Sequence, residues 1–539
     1  MSRTASRPTP SGLDLPGRRG SAQQARQLLD RVDADPWGQF TPSVYETARV
    51  HTHLPGFPGA AARVDWLLEQ QAPDGRWGTG SAGHRLLPTL SATVALLAQL
   101  YDAPSEGRLR TAVSRGLDAL RAVPGHGAPP DTAAVELLVP VLLAEVNRLL
   151  DTAPAGSHPA LRVLRLAPRL GPAHGLSAAP AAALAERLRR LTALPVKWHH
   201  CYEALASAVP EALVPPPPAG LLGGSPAATA AWLARTPAGA AHHRVTAALE
   251  AAAQRYGGLF PETAPLAAFE RLWVLAALAE AGLLTGAETL ARRWLEPLTE
   301  PGGVRGAPGL APDADDTAMA LLVAAVLGLP HDHDALAPFW AGDHFACYLG
   351  EETGSLSANA HALLALGACL PHHPAHRSTV TALRGWLAAQ QTPDGHWTDK
   401  WHASPLYATS RAATALARHG GPAARPVLRR AARWALRTQH PDGSWGVWGA
   451  TAEETGYGAR ILLAAPGTPA EPLARAHAYL ARSLAEDTPA HPPLWHDKTL
   501  YTPTAVVEAE LLATLHTLAA RAPAPAPAPG YRTARRPQA

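Results

Sequence analysis

The stretch WLAAQQTPDGHW, residues 386–397, decides how this chain folds. A helix carrying Trp386 ends near Gln391. Pro-Asp-Gly follows as a tight turn in which Gly395 supplies a positive φ. Trp397 then folds back onto the helix end, and the Gln391 amide can bond backbone groups exposed at the next helix. The same frame, W-x4-Q-x-P-D-G-x-W, recurs as WLLEQQAPDGRW (66–77) and WALRTQHPDGSW (434–445). Three such copies predict helical units that stack into a barrel or solenoid, their Trp residues holding helices together rather than doing chemistry. The first copy precedes the second by 386 − 66 = 320 residues, which predicts two helical domains.

The rest of the chain agrees. SATVALLAQLYD, LAAFERLWVLAALAEAGLL, TAMALLVAAVLGL and AVVEAELLATLHTLAARA place apolar residues at 3–4 spacing, and alternating strand patterns are scarce. Proline and glycine clusters such as VPPPPAGLLGGSP (214–226) separate the helices. The fold class is therefore all-α. At 539 residues the chain exceeds one ordinary core. Hydrophobic residues make up 47% and charged residues 17%, well below average usage, which favours large buried surface and a greasy cavity. The net charge of 47 − 44 = +3 gives no basic face for nucleic acid.

Residues 1–20 and the proline-alternating 522–539 read as disordered tails. The N-terminus has no apolar segment for a Sec signal, and no run reaches the roughly 20 apolar residues of a membrane span, so a cytoplasmic protein is expected. Cys201, Cys347 and Cys369 form no CxxC pair; three buried thiols are expected, with neither a disulfide framework nor a zinc site.

One acidic stretch stands out. PDADDTAMALL (312–322) sets Asp313, Asp315 and Asp316 against an apolar run. Pro312 followed by this pattern reads as a helix start. Asp313 and Asp316, three apart, could share a face and flank Asp315. Clustered, shielded carboxyls hold protons because neighbours cannot all ionise. A helix N-terminus favours the anion once a proton has left. A simple helix cap would also use these residue types. An EF-hand loop fails at Thr317 and Ala318, where a ligand oxygen and the turn glycine are needed. A DDxxD ionising motif fails because Met319 stands at its last position, and no NSE-type partner motif is found.

The repeat together with DADDTA resembles the class II terpene cyclase family, whose repeat is the QW motif. PWGQFTPSVYETARV (36–50), FERLWVLAALAEAGL (269–283), GSLSANAHALLAL (354–366), TDKWHASPLYATS (398–410), TAEETGYGA (451–459) and WHDKTLYTPTAVVEAELL (495–512) are similar to segments of its bacterial members. The resemblance implies a βγ architecture of two α-helical double barrels. Residues 21–50 and 265–521 would form the β domain, 51–264 the γ domain, with the active cavity between them.

It also implies chemistry: Asp315 as general acid toward a terminal C=C bond, tuned by Asp313 and Asp316. The expected reaction is cyclisation of geranylgeranyl diphosphate to a copalyl, halimadienyl or clerodane-type diphosphate, with the diphosphate retained. Farnesyl diphosphate, giving drimenyl diphosphate, is the close alternative; a non-catalytic helical-repeat scaffold is the alternative of another class. The chain lacks the length for an added class I domain, so a separate downstream class I terpene synthase is expected to use the product. Mg²⁺ is implied on the diphosphate, its protein ligands unassigned.

Cations in family-like segments make Lys400 and Lys498 the expected diphosphate ligands, with Arg411 and Arg271 weaker. A migrating carbocation favours aromatic faces, each worth about 0.5–2 kcal/mol. Trp401, Tyr407, Tyr457 and Tyr501 are expected cavity aromatics, and Trp273, Phe345 and Tyr348 further candidates. For the terminating base, His402, His361 and His199 sit in motif-like surroundings without one being assignable.

Overall fold

The repeats close their helices through backbone bonds that recur in every copy. In the computed structural model, which describes residues 18–125, 129–152, 159, 163, 168–174, 176, 179–218, 220–296, 302–351, 353–485 and 492–521, Gln391 Nε2 donates to the carbonyls of Gly395 (2.9 Å) and of Val427 in the next helix (3.0 Å). Gln71 does the same with Gly75 and Ala112, and Gln439 with Gly443 and Pro472. The closing indoles are fully buried. Trp77, Trp397 and Trp445 each donate Nε1–H to a helix carbonyl ten residues back, at 2.6, 2.8 and 2.9 Å. Their backbone N–H groups take a threonine hydroxyl from the following helix: Thr89, Thr409 and Thr455. Gly395 adopts φ 101°, and a Cβ there would lie 2.7 Å from the Arg430 carbonyl oxygen, so glycine is required both by dihedral and by space.

Six helices form a closed inner ring: Ala267–Glu280, Ala314–Val326, Leu356–Cys369, Pro405–His419, Ala452–Ala464 and Thr504–Arg521. Each packs against the next, and the last against the first. Such helices must be apolar nearly all round. Leu356–Cys369 meets that condition, burying every residue but Ala368. The outer layer is amphipathic instead. Arg425–Thr438 turns Val427, Leu428, Ala431 and Ala435 inward and carries five arginines. Arg18–Ala34 packs on the Thr504–Arg521 and Ala267–Glu280 helices and closes the same unit.

The hydrophobic interior divides in two. One core takes residues from Ala25 to Phe40 and from Leu266 to Leu518; the other runs from Tyr45 to Ala264. The boundary near residue 50 therefore needs correction. The Val44–His53 helix, expected with the 265–521 unit, packs on Leu86–Asp102 and Pro226–Leu233 and buries Tyr45, Ala48 and Val50 in the second core. Among the described residues the only strands are Trp495–His496 and Leu500–Tyr501, a short antiparallel hairpin. No described helix is long and apolar enough to cross a membrane. Of the residues read as tails, 1–17 and 522–539 lie outside the described residues; 18–20, expected in the first tail, instead open the helix that begins at Arg18.

Candidate active site

The acidic stretch does start a helix, and Asp313 is its cap. Asp313 has extended backbone, and its Oδ1 accepts from the Asp316 N–H at 2.7 Å. Its N–H donates to the Val304 carbonyl, while Thr317 Oγ1 bonds back to the Asp313 carbonyl and receives the Val304 N–H. This pins the first turn. The cap reading and the acid reading thus fall on different residues of one motif.

Asp315 points the other way. Its Oδ1 lies 2.6 Å from His361 Nδ1, which comes from the neighbouring Leu356–Cys369 helix and is 1% exposed. His361 is held edge-on by Trp273 at 5.6 Å, and its Nε2 has no hydrogen-bond partner among the described residues. Asp313 and Asp316 share a carboxyl–carboxyl hydrogen bond. Burial pushes Asp313 up to about 7, with the nearby Asp315 charge adding to it. Burial and the charge of Asp313 push Asp316 well above the carboxylate range. Gly306 makes room for that group, because a Cβ there would sit 2.7 Å from Asp316 Oδ2.

All three aspartates face a cavity of about 410 Å³ between the two helical units. Its apolar wall includes Leu266, Phe269, Trp273, Leu310, Tyr407, Trp495 and Tyr501. Phe269 packs at 4.4 Å on Trp273 and edge-on to Trp495, which lies 4.9 Å from Tyr407. A polar wall holds Asp131, Glu136, Lys197, Glu351 and Lys400. Lys197 Nζ and Lys400 Nζ grip the two Glu351 oxygens at 2.7 and 2.8 Å. Burial would raise the Glu351 carboxyl, but the two lysines outweigh it and hold it below its ordinary value.

The expected site residues divide. Trp401, Tyr407, Tyr501, Trp273, Tyr348 and Lys400 line the cavity. Lys498 does not. Its ammonium is fully buried and its three donors are spent on Glu46 (2.7 Å), Glu203 (2.8 Å) and Ser225 Oγ (2.7 Å), so none remains for a diphosphate. Tyr457 also falls outside the lining. It stands behind Tyr407 at 5.3 Å and donates to Glu453, which also accepts from Trp495 Nε1 and faces His402 Nε2. Its role is to brace Tyr407 and Trp495. Arg411 lies under Tyr407, paired with buried Glu510; Arg271 lies over Trp294; Phe345 bonds Asn359; none of the three lines the cavity.

Among the histidines, His402 accepts from the Ser404 N–H at Nδ1 and faces Glu453 at Nε2, leaving no lone pair toward the cavity. His199 Nε2 faces the Leu194 carbonyl, and the residue does not line the cavity.

The sequence reading missed Lys197, Glu351, His200 and Asp497. His200 faces the Gly223 carbonyl at Nδ1 and Asp497 at Nε2, both at 2.8 Å. With acceptors at both nitrogens it is an imidazolium. Burial opposes that charge, but Asp497 outweighs burial and raises it. It is a cation on the cavity wall and has no lone pair to take a proton. One signal could have found Lys197: the chain has only three lysines, 197, 400 and 498, and all three lie in or beside this site.

Comparisons with known proteins agree with this geometry. Residues 344–483 match the family described as the squalene-hopene cyclase C-terminal domain. The chain is 54% identical to a labda-7,13-dienyl diphosphate synthase of Streptomyces clavuligerus, over 97% of this chain and 98% of that protein. It is 50% identical to a copalyl diphosphate synthase of Streptomyces cyslabdanicus, over 93% and 96%. The ent-copalyl diphosphate synthase structure from Streptomyces platensis superposes with a TM-score of 0.82 at 39% identity, over 93% of this chain and 99% of that one. With the acid helix, the QW units and the lined cavity, these likenesses identify the chain as a member of the class II terpene cyclase family, within its bacterial copalyl diphosphate synthase-type diterpene cyclases.

Proposed function

We propose that this enzyme cyclises geranylgeranyl diphosphate by protonation to a bicyclic labdane-type diphosphate and keeps the diphosphate on the product. The observation that carries this reading is Asp315, on the cavity wall with one oxygen held by His361 at 2.6 Å. The other oxygen carries the proton toward the terminal alkene. As it leaves, the His361 N–H stabilises the new carboxylate, a charge-assisted bond worth about 1.5–3 kcal/mol. Burial raises both Asp313 and Asp316, which favours their protonated forms and lessens repulsion before transfer. Trp273, Phe269, Tyr407 and Trp495 offer π-faces to the migrating cation and exclude water.

The diphosphate would lie at the polar wall, where Lys197 and Lys400 exchange Glu351 for phosphoryl oxygens. The donors there also suit Mg²⁺, a hard cation taking carboxylate oxygens. Asp131, Glu136 and Glu351 all line the cavity, and burial, then the charges of Asp399 and Glu351, raise Asp131 against the pull of Lys400. Bound there, Mg²⁺ would neutralise diphosphate charge. Three buried free thiols suit a reducing, cytoplasmic compartment. A product that keeps its diphosphate suits a separate class I terpene synthase as the next enzyme.

The test is incubation with geranylgeranyl diphosphate and Mg²⁺, phosphatase treatment and mass spectrometry. A bicyclic C20 alcohol from the wild type, absent with Asp315→Asn, is expected. Geranylgeraniol alone from both overturns the reading. A parallel incubation giving turnover only on farnesyl diphosphate would replace the C20 substrate with the C15 one.

A further inference from the structure

A second group of ligands lies off the cavity, at the far ends of the two helices that carry the acid and its histidine. The Ala314–Val326 helix leads into a loop with His331 and His333, and Leu356–Cys369 ends at Cys369. The ligand atoms of His331, His333 and Cys369 lie within 4.8 Å of one another. His331 Nε2 is 3.5 Å from Cys369 Sγ. A nitrogen at about 2.0–2.1 Å and a sulfur at about 2.3 Å from a tetrahedral Zn²⁺ stand roughly 3.5 Å apart. His331 Nδ1–H donates to the Leu329 carbonyl at 2.5 Å, which fixes the tautomer that turns the Nε2 lone pair to the thiol. His333 Nε2 is shielded from solvent and has no hydrogen-bond partner among the described residues. The His373 ring lies tilted against His333, with centroids 3.9 Å apart. Polar atoms shielded in this way normally have partners.

We propose that His331, His333 and Cys369 bind one Zn²⁺-class transition cation, with water in the fourth position. Imidazole and thiolate donors select such a metal over Mg²⁺. Cys369 loses its proton to solvent as the metal–sulfur bond forms, and no electrons move. The ion staples the loop after the acid helix to the end of the helix that holds His361. This departs from the sequence expectation of no zinc site. That expectation sought paired cysteines, whereas the ligands here are a His-x-His pair and one cysteine, brought together at the ends of two adjacent helices.

The experiment uses the full chain with any affinity tag removed, stripped with chelator, without substrate or Mg²⁺. Titration with Co²⁺ is expected to bind one ion per chain, with intense tetrahedral visible bands and a thiolate-to-cobalt charge-transfer band. Cys369→Ser abolishes the charge-transfer band, and His331→Ala/His333→Ala abolishes tight binding. Zn²⁺ displaces Co²⁺ and, at about 100-fold over its Kd, raises Tm by several degrees in the wild type only. Both variants keep cyclase turnover, since none of these residues lines the cavity. A cobalt spectrum without the charge-transfer band overturns the proposal. So does an equal Tm gain in the His331→Ala/His333→Ala variant, which would assign the metal to other side chains.

Discussion

Asp315 and its neighbours Asp313 and Asp316 are all aspartates in one turn, yet their surroundings give them different work. Asp315 alone meets His361. Replacing it with Asn removes the transferable proton and should lower kcat by at least the 10²–10⁴-fold typical of a lost general acid, with unchanged far-ultraviolet circular dichroism. His361→Phe should lower kcat about 10- to 100-fold with KM nearly constant, since the lost bond matters only as charge develops on Asp315. Steady-state kinetics check both, and a rise in KM alone would refute the role given to His361. Asp313 and Asp316 also set a pH dependence. Burial raises Asp313 from an ordinary 3.8 to about 7 and Asp316 further, so folding favours their protonated forms. That stability is full below about pH 4 and is lost as pH climbs through about 7 and above. Glu270, raised by burial to about 7, acts with the same sign. Thermal melts from about pH 5 to 8.5 should show Tm falling with pH in the wild type and falling less in Asp313→Asn, which keeps the cap; equal slopes would contradict this. The three aspartates were legible because they are contiguous. His361 was not assignable, because its partner lies 46 residues away and only helix packing joins them.

At the scale of elements, the QW unit was readable almost whole, because its turn, glycine and closing indole lie within twelve residues. Its last bond was not. The threonine hydroxyl that takes the Trp N–H stands on the next helix, twelve residues on in two copies and ten in the third. Trp397→Ala removes a fully buried indole and should cost about 3–5 kcal/mol, measured as a drop in the denaturation midpoint without a change in the urea m-value. The Val44–His53 helix shows the converse limit. A continuous family-like segment, 36–50, hid the point where the chain crosses from one core to the other, since nothing local marks which core an apolar face will meet.

The whole molecule joins its two units through buried charge. The hairpin at 495–501 leads Lys498 into Glu46, Glu203 and Ser225, and Asp497 into His200 and Thr263, all from the other unit. In the sequence Lys400 and Lys498 look alike, each a scarce cation beside aromatics; only the packing separates a cavity-lining lysine from a strut. Lys498→Met strands two buried carboxylates and should cost about 3–5 kcal/mol of stability. Lys400→Ala should leave Tm nearly unchanged and raise KM about 10- to 100-fold. Differential scanning calorimetry beside kinetics tests the pair, and a Lys498→Met enzyme of wild-type stability with a raised KM would reverse the assignment.

The central claim is that a proton from the buried Asp315 enters the substrate while the diphosphate stays attached. Turnover in D₂O, with mass and NMR analysis of the dephosphorylated product and an assay for free pyrophosphate, tests it most directly. The account predicts one deuterium on the ring carbon that began as the terminal alkene, with no pyrophosphate released. A cyclic product without deuterium, or pyrophosphate appearing in step with substrate loss, would contradict it.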